Sequence, residues 1–153
     1  MSREEDRIEN ELPGLREAAF FCNQIAEEVL ALGDVNRIID HLRKIGVRNP
    51  EQLRDLFNTR LPETDDRTRR ILIADVRKLF KLVLSAQILL NARSGPLGTA
   101  IDPTAQANHE TQLAKVKRAA AEIQAFGRSI KREIRRKMNR LTKIRAEIEA
   151  KME

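Results

Sequence analysis

The sequence predicts an all-α protein: a helical bundle or hairpin domain followed by a long basic amphipathic C-terminal helix. Three observations carry this. Apolar residues recur at three-and-four spacing along most of the chain. The composition is rich in the helix formers Ala, Leu, Ile, Glu and Arg. The six Gly and five Pro fall between the periodic segments. With 153 residues, 41% of them hydrophobic, the chain can bury one core. The expected division is a helical core domain over 1–92, a linker over 93–103 and a long basic helix over 104–153.

Each element follows from local signals. Ser2 with Glu5 three residues later is a capping box, so a short acidic helix is expected to begin at once. Pro13 suits the first turn of a second helix, running to Leu32 and stopping at Gly33. Its apolar stripe is Leu15, Ala18, Ala19, Cys22, Ile25, Ala26, Val29 and Leu30. Asp34 caps a short helix over 35–45, which Gly46 ends. Asn49-Pro50 starts another, over 50–61, with Leu53, Leu56 and Phe57 facing inward. Pro62 then breaks the chain. Thr64 or Asp65 caps a helix reaching Ala92, with Leu72, Val76, Leu79, Phe80, Val83 and Leu90 central to a broad apolar face, as in the middle of a bundle. Asp102 or Thr104 caps the last helix, which nothing interrupts except Gly127. At about fifty residues it would be ~75 Å long, longer than a globule of this size needs. Part of it is therefore expected to leave the domain and pack on something else.

Charge is unevenly placed. Residues 1–33 hold three bases and eight acids, and 93–153 hold fourteen bases and seven acids. From Lys115 to Arg145 there are twelve bases and only Glu122 and Glu133 as acids. This last helix keeps an apolar seam of Val116, Ile123, Ile130, Ile134, Leu141, Ile144 and Ile148, coiled-coil-like with polar faults at Lys137 and Lys151. Opposite the seam lie Arg128, Lys131, Arg132, Arg135, Arg136, Arg140 and Lys143. Solvated helices usually mix signs at i and i+4, whereas here Arg128 meets Arg132, Lys131 meets Arg135 and Arg136 meets Arg140, each pair costing a few tenths of a kcal/mol. An external anion would offset that cost. Nucleic acid is the first candidate and an acidic protein surface, such as the negative N-terminal helix of another copy, the second. The excess of Arg over Lys, 20 to 9, suits phosphate contact, although a GC-rich genome or a hot habitat also raises Arg. A second basic strip, Arg67, Arg70, Arg77, Lys78 and Lys81, runs along the 65–92 helix.

What is missing narrows the nucleic acid. Single-strand binders stack bases on aromatics, and the basic helix offers only Phe126, on its apolar side. Few Asn or Gln accompany the bases, so base reading is minor. Sequence-tolerant binding of double-stranded DNA through phosphates is expected, with a steep salt dependence; the residues do not separate DNA from RNA.

Other chemistries find little support. Lone Cys22 excludes an internal disulfide or a Cys-based zinc site and reads as a core residue. His41 and His109 have no ligand-spaced partners, so no metal and no cofactor is expected. Ile45-Gly46-Val47 with Asn49-Pro50 matches half of a helix-hairpin-helix element, but Arg48 stands where a second Gly belongs. A helix-turn-helix over 35–61 would place Glu51 and Asp55 against the bases. Ser94-Gly95-Pro96-Leu97-Gly98 lacks the Lys and the strand of a phosphate loop. No paired acids suggest catalysis, and no enzyme activity is expected. The start of the chain has no leader-like apolar run, and Asp75, Arg77, Lys78 and Lys81 interrupt the greasiest stretch, so a soluble, intracellular protein without a membrane span is expected.

In architecture the chain resembles the coat proteins of filamentous and rod-shaped archaeal viruses: a helical hairpin region, a broad apolar helix at 65–92 and a long basic helix at 104–152. The resemblance implies a structural, nucleocapsid role in a virion, in which interlocked subunits, with or without a homologous sister subunit, wrap duplex DNA in a dehydrated form. Arg128 to Arg145 and Arg67 to Lys81 would then line the DNA. Two other readings remain: a cellular, nucleic-acid-associated architectural or accessory protein using the same residues, and a coiled-coil adaptor whose seam takes a partner helix. All three expect self-association or another partner, because the long helix would otherwise expose its seam.

Overall fold

A computed structural model describes residues 2–92 and 102–152, so most of the expected linker, 93–101, lies outside the described residues. The chain is all-α. The helices are α1 (Arg3–Ala31), α2 (Val35–Lys44), α3 (Leu53–Arg60) after a 3-10 turn at Pro50–Gln52, α4 (Asp66–Ala92) and α5 (Pro103–Met152).

The first difference from the sequence reading is at Pro13. Two helices were expected, and one 29-residue helix forms, with Pro13 inside it. Proline removes one helix hydrogen bond and crowds the preceding turn. Packing overrides that cost. Ile8, Leu12, Ala19, Cys22, Ala26 and Val29 form one unbroken stripe, buried along its whole length, and Pro13 itself faces solvent. Ser2 caps the helix by accepting a hydrogen bond from the Glu5 amide at 3.0 Å.

The caps of the other helices follow their sequence signals. The Asp34 carboxylate accepts from the amides of Asn36 and Arg37. Gly46, at φ 96°, ends α2 in the left-handed region that glycine favours. Asn49 accepts from the Glu51 amide. Asp65 caps α4 through the Thr68 amide, and Asp102 caps α5 through the Thr104 amide. Thr64, the alternative cap for α4, does something else. Its hydroxyl donates to the Gly14 carbonyl at 3.0 Å and ties the start of α4 to α1.

α5 is one continuous 50-residue helix. It runs antiparallel to both α1 and α4. Against α4, Lys78 meets Glu122, and His109 approaches the Ala86 carbonyl. Against α1, Lys117 lies at the C-terminal end of α1 and Arg140 at its start. The long helix is therefore built into the core instead of following a separate domain. Val116, Ala119, Ala120, Ile123 and Ile130 share one apolar cluster with α1, α2, α3 and α4. α4 spends its broad apolar face chiefly on α5, with α2, α3 and α1 covering the rest. Phe21 of α1 and Phe57 of α3 meet edge to face at 5.0 Å between ring centres.

Two glycines set the spacing. Gly127, expected only as a possible break, is where α1 crosses α5 closely: a side-chain carbon there would stand 2.8 Å from Cys22 Cβ. Gly14 backs onto the backbone of Glu63 and Thr64, and a Cβ at that position would collide with the Glu63 carbonyl. A backbone wall cannot swing aside as a side chain can. Gly14→Ala is therefore expected to cost ~1–3 kcal/mol by overpacking. That corresponds to roughly 3–10 °C off the thermal midpoint of a chain this size. Gly33→Ala, with nothing within 4 Å, should leave the midpoint unchanged when the two are compared by circular dichroism melts.

Candidate nucleic-acid interface

The apolar seam of α5 is occupied by the chain itself. Val116 and Ile123 are fully buried, Ile130, Leu141 and Ile144 nearly so, and Ile134 and Ile148 are partly buried. Beyond Lys137 the only cover among the described residues is the first three turns of α1: Ile8 and Leu12 pack on Leu141 and Ile144 as a small second cluster. The expectation that the seam lies open to another subunit or a partner helix is corrected here. The reason is geometric. A 29-residue α1 that does not break at Pro13 is long enough to follow α5 out to its far end.

The same contact divides the cations of α5 into two groups. Those turned toward α1 meet its acids. Arg140 forks onto Glu4, Nε to Oε1 at 2.8 Å and Nη2 to Oε2 at 3.1 Å. Arg145 pairs with Glu5 and Glu9, and Lys137 with Glu11 and Glu133. The hydrogen bond from Arg140 holds the Glu4 carboxyl below its ordinary range, and Glu5 and Glu9 raise Arg145 further above an already basic value. Lys117, counted in the basic run, is also taken. Its ammonium donates to the carbonyls of Val29, Leu30 and Leu32, closing the C-terminus of α1. Burial pushes that ammonium below its usual value.

The second group faces solvent. Lys131, Arg132, Arg135 and Lys143 are exposed and form no ion pair among the described residues, and Arg128 touches only Gln124 on its own helix, at 3.5 Å. Arg136 is exposed but paired with Glu133 at 2.6 Å. From Arg128 to Lys143 this stripe spans ~22 Å of helix. It points away from the buried seam, as the 3.6-residue period requires.

The α4 strip is less free than its sequence suggests. Arg67, Arg70 and Lys81 are exposed. Arg77 donates to the Pro50 carbonyl at 3.4 Å. Lys78 pairs with Glu122 at 3.1 Å. Asp75 lies close enough that burial and the Glu122 carboxylate push its carboxyl up while Lys78 acts against both. The two basic sets approach each other around Arg67 and Arg136, which share a groove of about 690 Å³ between α1, α4 and α5. Glu11, Glu63, Asp65 and Glu133 line it too, so its charge is mixed and it offers no cationic pocket.

The remaining candidates resolve into structural roles. Cys22 is buried against Gly127, and burial pushes its thiol up to about 12, far from a thiolate nucleophile. His41 lies 2.8 Å from the Gln24 carbonyl, and His109 2.9 Å from the Ala86 carbonyl. Among the described residues no group of His, Cys, Asp and Glu could hold a metal ion, and no helix is long and apolar enough to cross a membrane.

Sequence reasoning passed over Phe20. It lies one position off the apolar stripe of α1 and is 68% exposed, whereas Phe21, Phe57 and Phe80 are buried. That offset was readable, because Leu15, Ala18, Ala19 and Cys22 carry the stripe without it. The side of α5 it would stand beside was not. Compared with known protein families, with curated proteins and with solved structures, the chain matches none.

The end of the α1–α5 pair should respond to acid. The folded state depresses Glu4, so its contribution is complete above the ordinary carboxyl value of 4.5 and is lost as pH falls through the lower folded-state value. Amide protection over 4–12 is expected to decline as pH falls below the ordinary carboxyl range, while that over 18–29 persists. Arg140→Gln should loosen the same segment at neutral pH. Equal protection of both segments across this range would contradict the assignment.

Proposed function

We propose that this protein binds nucleic acid, with double-stranded DNA the favoured form, by laying the outer face of α5 along the phosphates. One observation carries the reading. Arg128, Lys131, Arg132, Arg135 and Lys143 stand together on a rigid helix, and none has an acid partner among the described residues, although the same chain has paired Lys137, Arg140 and Arg145. Crowded exposed cations repel one another, and a polyanion with a charge every ~1.7 Å relieves that repulsion while releasing counterions. Cations on a rigid helix with few side-chain amides among them suit backbone contact, not base reading. The α4 cations Arg67, Arg70 and Lys81 would act as an outlying contact line.

The role extends to packaging, as in the coat proteins that the architecture resembles, with many copies set along one duplex in a virion. The covered seam supports a second reading beside it, a cellular architectural or accessory protein that acts without polymerising. A protein that already buries its seam has no apolar face of that kind to offer a neighbour. Copies lined up on DNA would then be related by the DNA itself and by surfaces other than the seam. Electron microscopy of the protein mixed with duplex separates the two, a regular filament favouring the coat.

Five free cations predict a log-affinity against log-salt slope of about −4 to −5 on duplex DNA. Arg132→Gln with Arg135→Gln is expected to make the slope shallower by about 2 without altering the melt, since both side chains are exposed. Arg140→Gln should change the slope far less, because Glu4 already holds that guanidinium. Anisotropy titrations at several salt concentrations read both, and a flat plot for the unaltered protein would overturn the proposal.

A further inference from the structure

Resting on the nucleic-acid reading of α5 and deepening it, we infer that the flank of the α1–α5 pair is a site for an unpaired nucleotide, whose base stacks on Phe20 while Lys131 and Arg135 hold the adjoining phosphates.

The placement follows from two fixed points on the antiparallel pair. Asn23 of α1 shares a notch of about 210 Å³ with Gln124, Arg128 and Lys131 of α5, floored by Ala19 and Gly127. Farther along, the Arg16 guanidinium reaches Met138 Sδ at 3.9 Å. Phe20 is four residues after Arg16 and three before Asn23, so all three share one row of α1. It therefore stands between the two fixed points, beside the stretch of α5 that carries Lys131 and Arg135.

This puts a ring with most of its surface in water between cations from two helices. Arg16, Arg128, Lys131 and Arg135 have no acid partner among the described residues. An isolated exposed Phe needs no explanation by itself. An exposed Phe whose register sets it alongside Arg16 on its own helix and Lys131 and Arg135 on the next has the two parts a single-strand site uses: a π-face for the base and a cationic track for the backbone. The bases of an intact duplex are stacked on each other and cannot reach the ring. A single strand, or the frayed or tailed end of a duplex, can. The notch beside Gly127 exists because neither Ala19 nor Gly127 fills it, and it leaves room for a phosphate between Arg128, Lys131 and the Gln124 amide, while the Asn23 amide donates to the Glu27 carboxylate at 3.0 Å on the α1 side.

The chain has no Trp and no Tyr, so Phe20→Trp introduces a sole reporter at the proposed contact. Its emission should be quenched by a short oligothymidine and by a duplex with a single-stranded tail, and not by the same duplex with blunt ends. Phe20→Ala is expected to weaken oligothymidine binding roughly tenfold, as loss of one stacked base does, and to leave blunt-duplex affinity and the melt unchanged. Phe20→Tyr should retain the affinity. If tailed and blunt duplexes bind alike and Phe20→Ala alters neither, the inference is overturned and the duplex reading stands. If neither nucleic acid binds at low salt, the reading of α5 fails and takes this inference with it. An acidic, apolar peptide whose binding needs Phe20 where oligothymidine binding does not would assign the face to a protein partner and overturn the inference.

Discussion

The close antiparallel apposition of α1 and α5 governs the rest of the structure. It is closest where Cys22 of α1 meets Gly127 of α5, with Ala19 beside them, and small residues there let the two backbones come together. From that crossing the helices run side by side in both directions. Toward the start of α5, they bury Val116, Ala120 and Ile123 and place Lys117 under the last carbonyls of α1. Toward its end, they bury Leu141 and Ile144 beneath Ile8 and Leu12. α4 joins from the other side and is tied to α1 where Thr64 reaches Gly14.

The apposition also sorts the charge. A helix with twelve bases between Lys115 and Arg145 would be costly to hold together if all of them faced water with nothing opposite. α1 supplies Glu4, Glu5, Glu9 and Glu11 to the cations that turn toward it. These pairs are partly exposed, and such pairs each stabilise a fold only modestly. Their larger consequence is selection. They withdraw Lys137, Arg140 and Arg145 from the solvent-facing set and leave Arg128, Lys131, Arg132, Arg135 and Lys143 as a separate stripe. The acidic N-terminal third and the basic C-terminal third, whose opposite charges suggested pairing between copies, thus pair within one copy.

Much of this was legible along the chain. Helix starts at Ser2, Asp34, Asn49, Asp65 and Asp102 depend on a side chain and a backbone amide two or three residues away, and the stop at Gly46 on a backbone angle that glycine favours, so the local sequence contains all that is needed. The seam on α5 and the stripe opposite it follow from the helical period alone. Pro13 misled for the converse reason. Its local cost is real, and it is outweighed by apolar contacts with residues more than a hundred positions later. Gly127 looked like a weakness in a long helix because its close neighbour, Cys22, is equally remote in sequence.

The sequence by itself determined the helical class, the order of the elements after Pro13, the faces of each helix and the presence of a crowded cationic stripe, because all of these depend on local signals and on spacing within one helix. Only the tertiary structure decided what covers the seam, which cations stay free, and that Phe20 is left exposed on the flank of α1. Those outcomes depend on which helix lies alongside α5, in which direction and at what register. Such quantities arise from the joint burial of many distant apolar residues, and no window along the chain contains them.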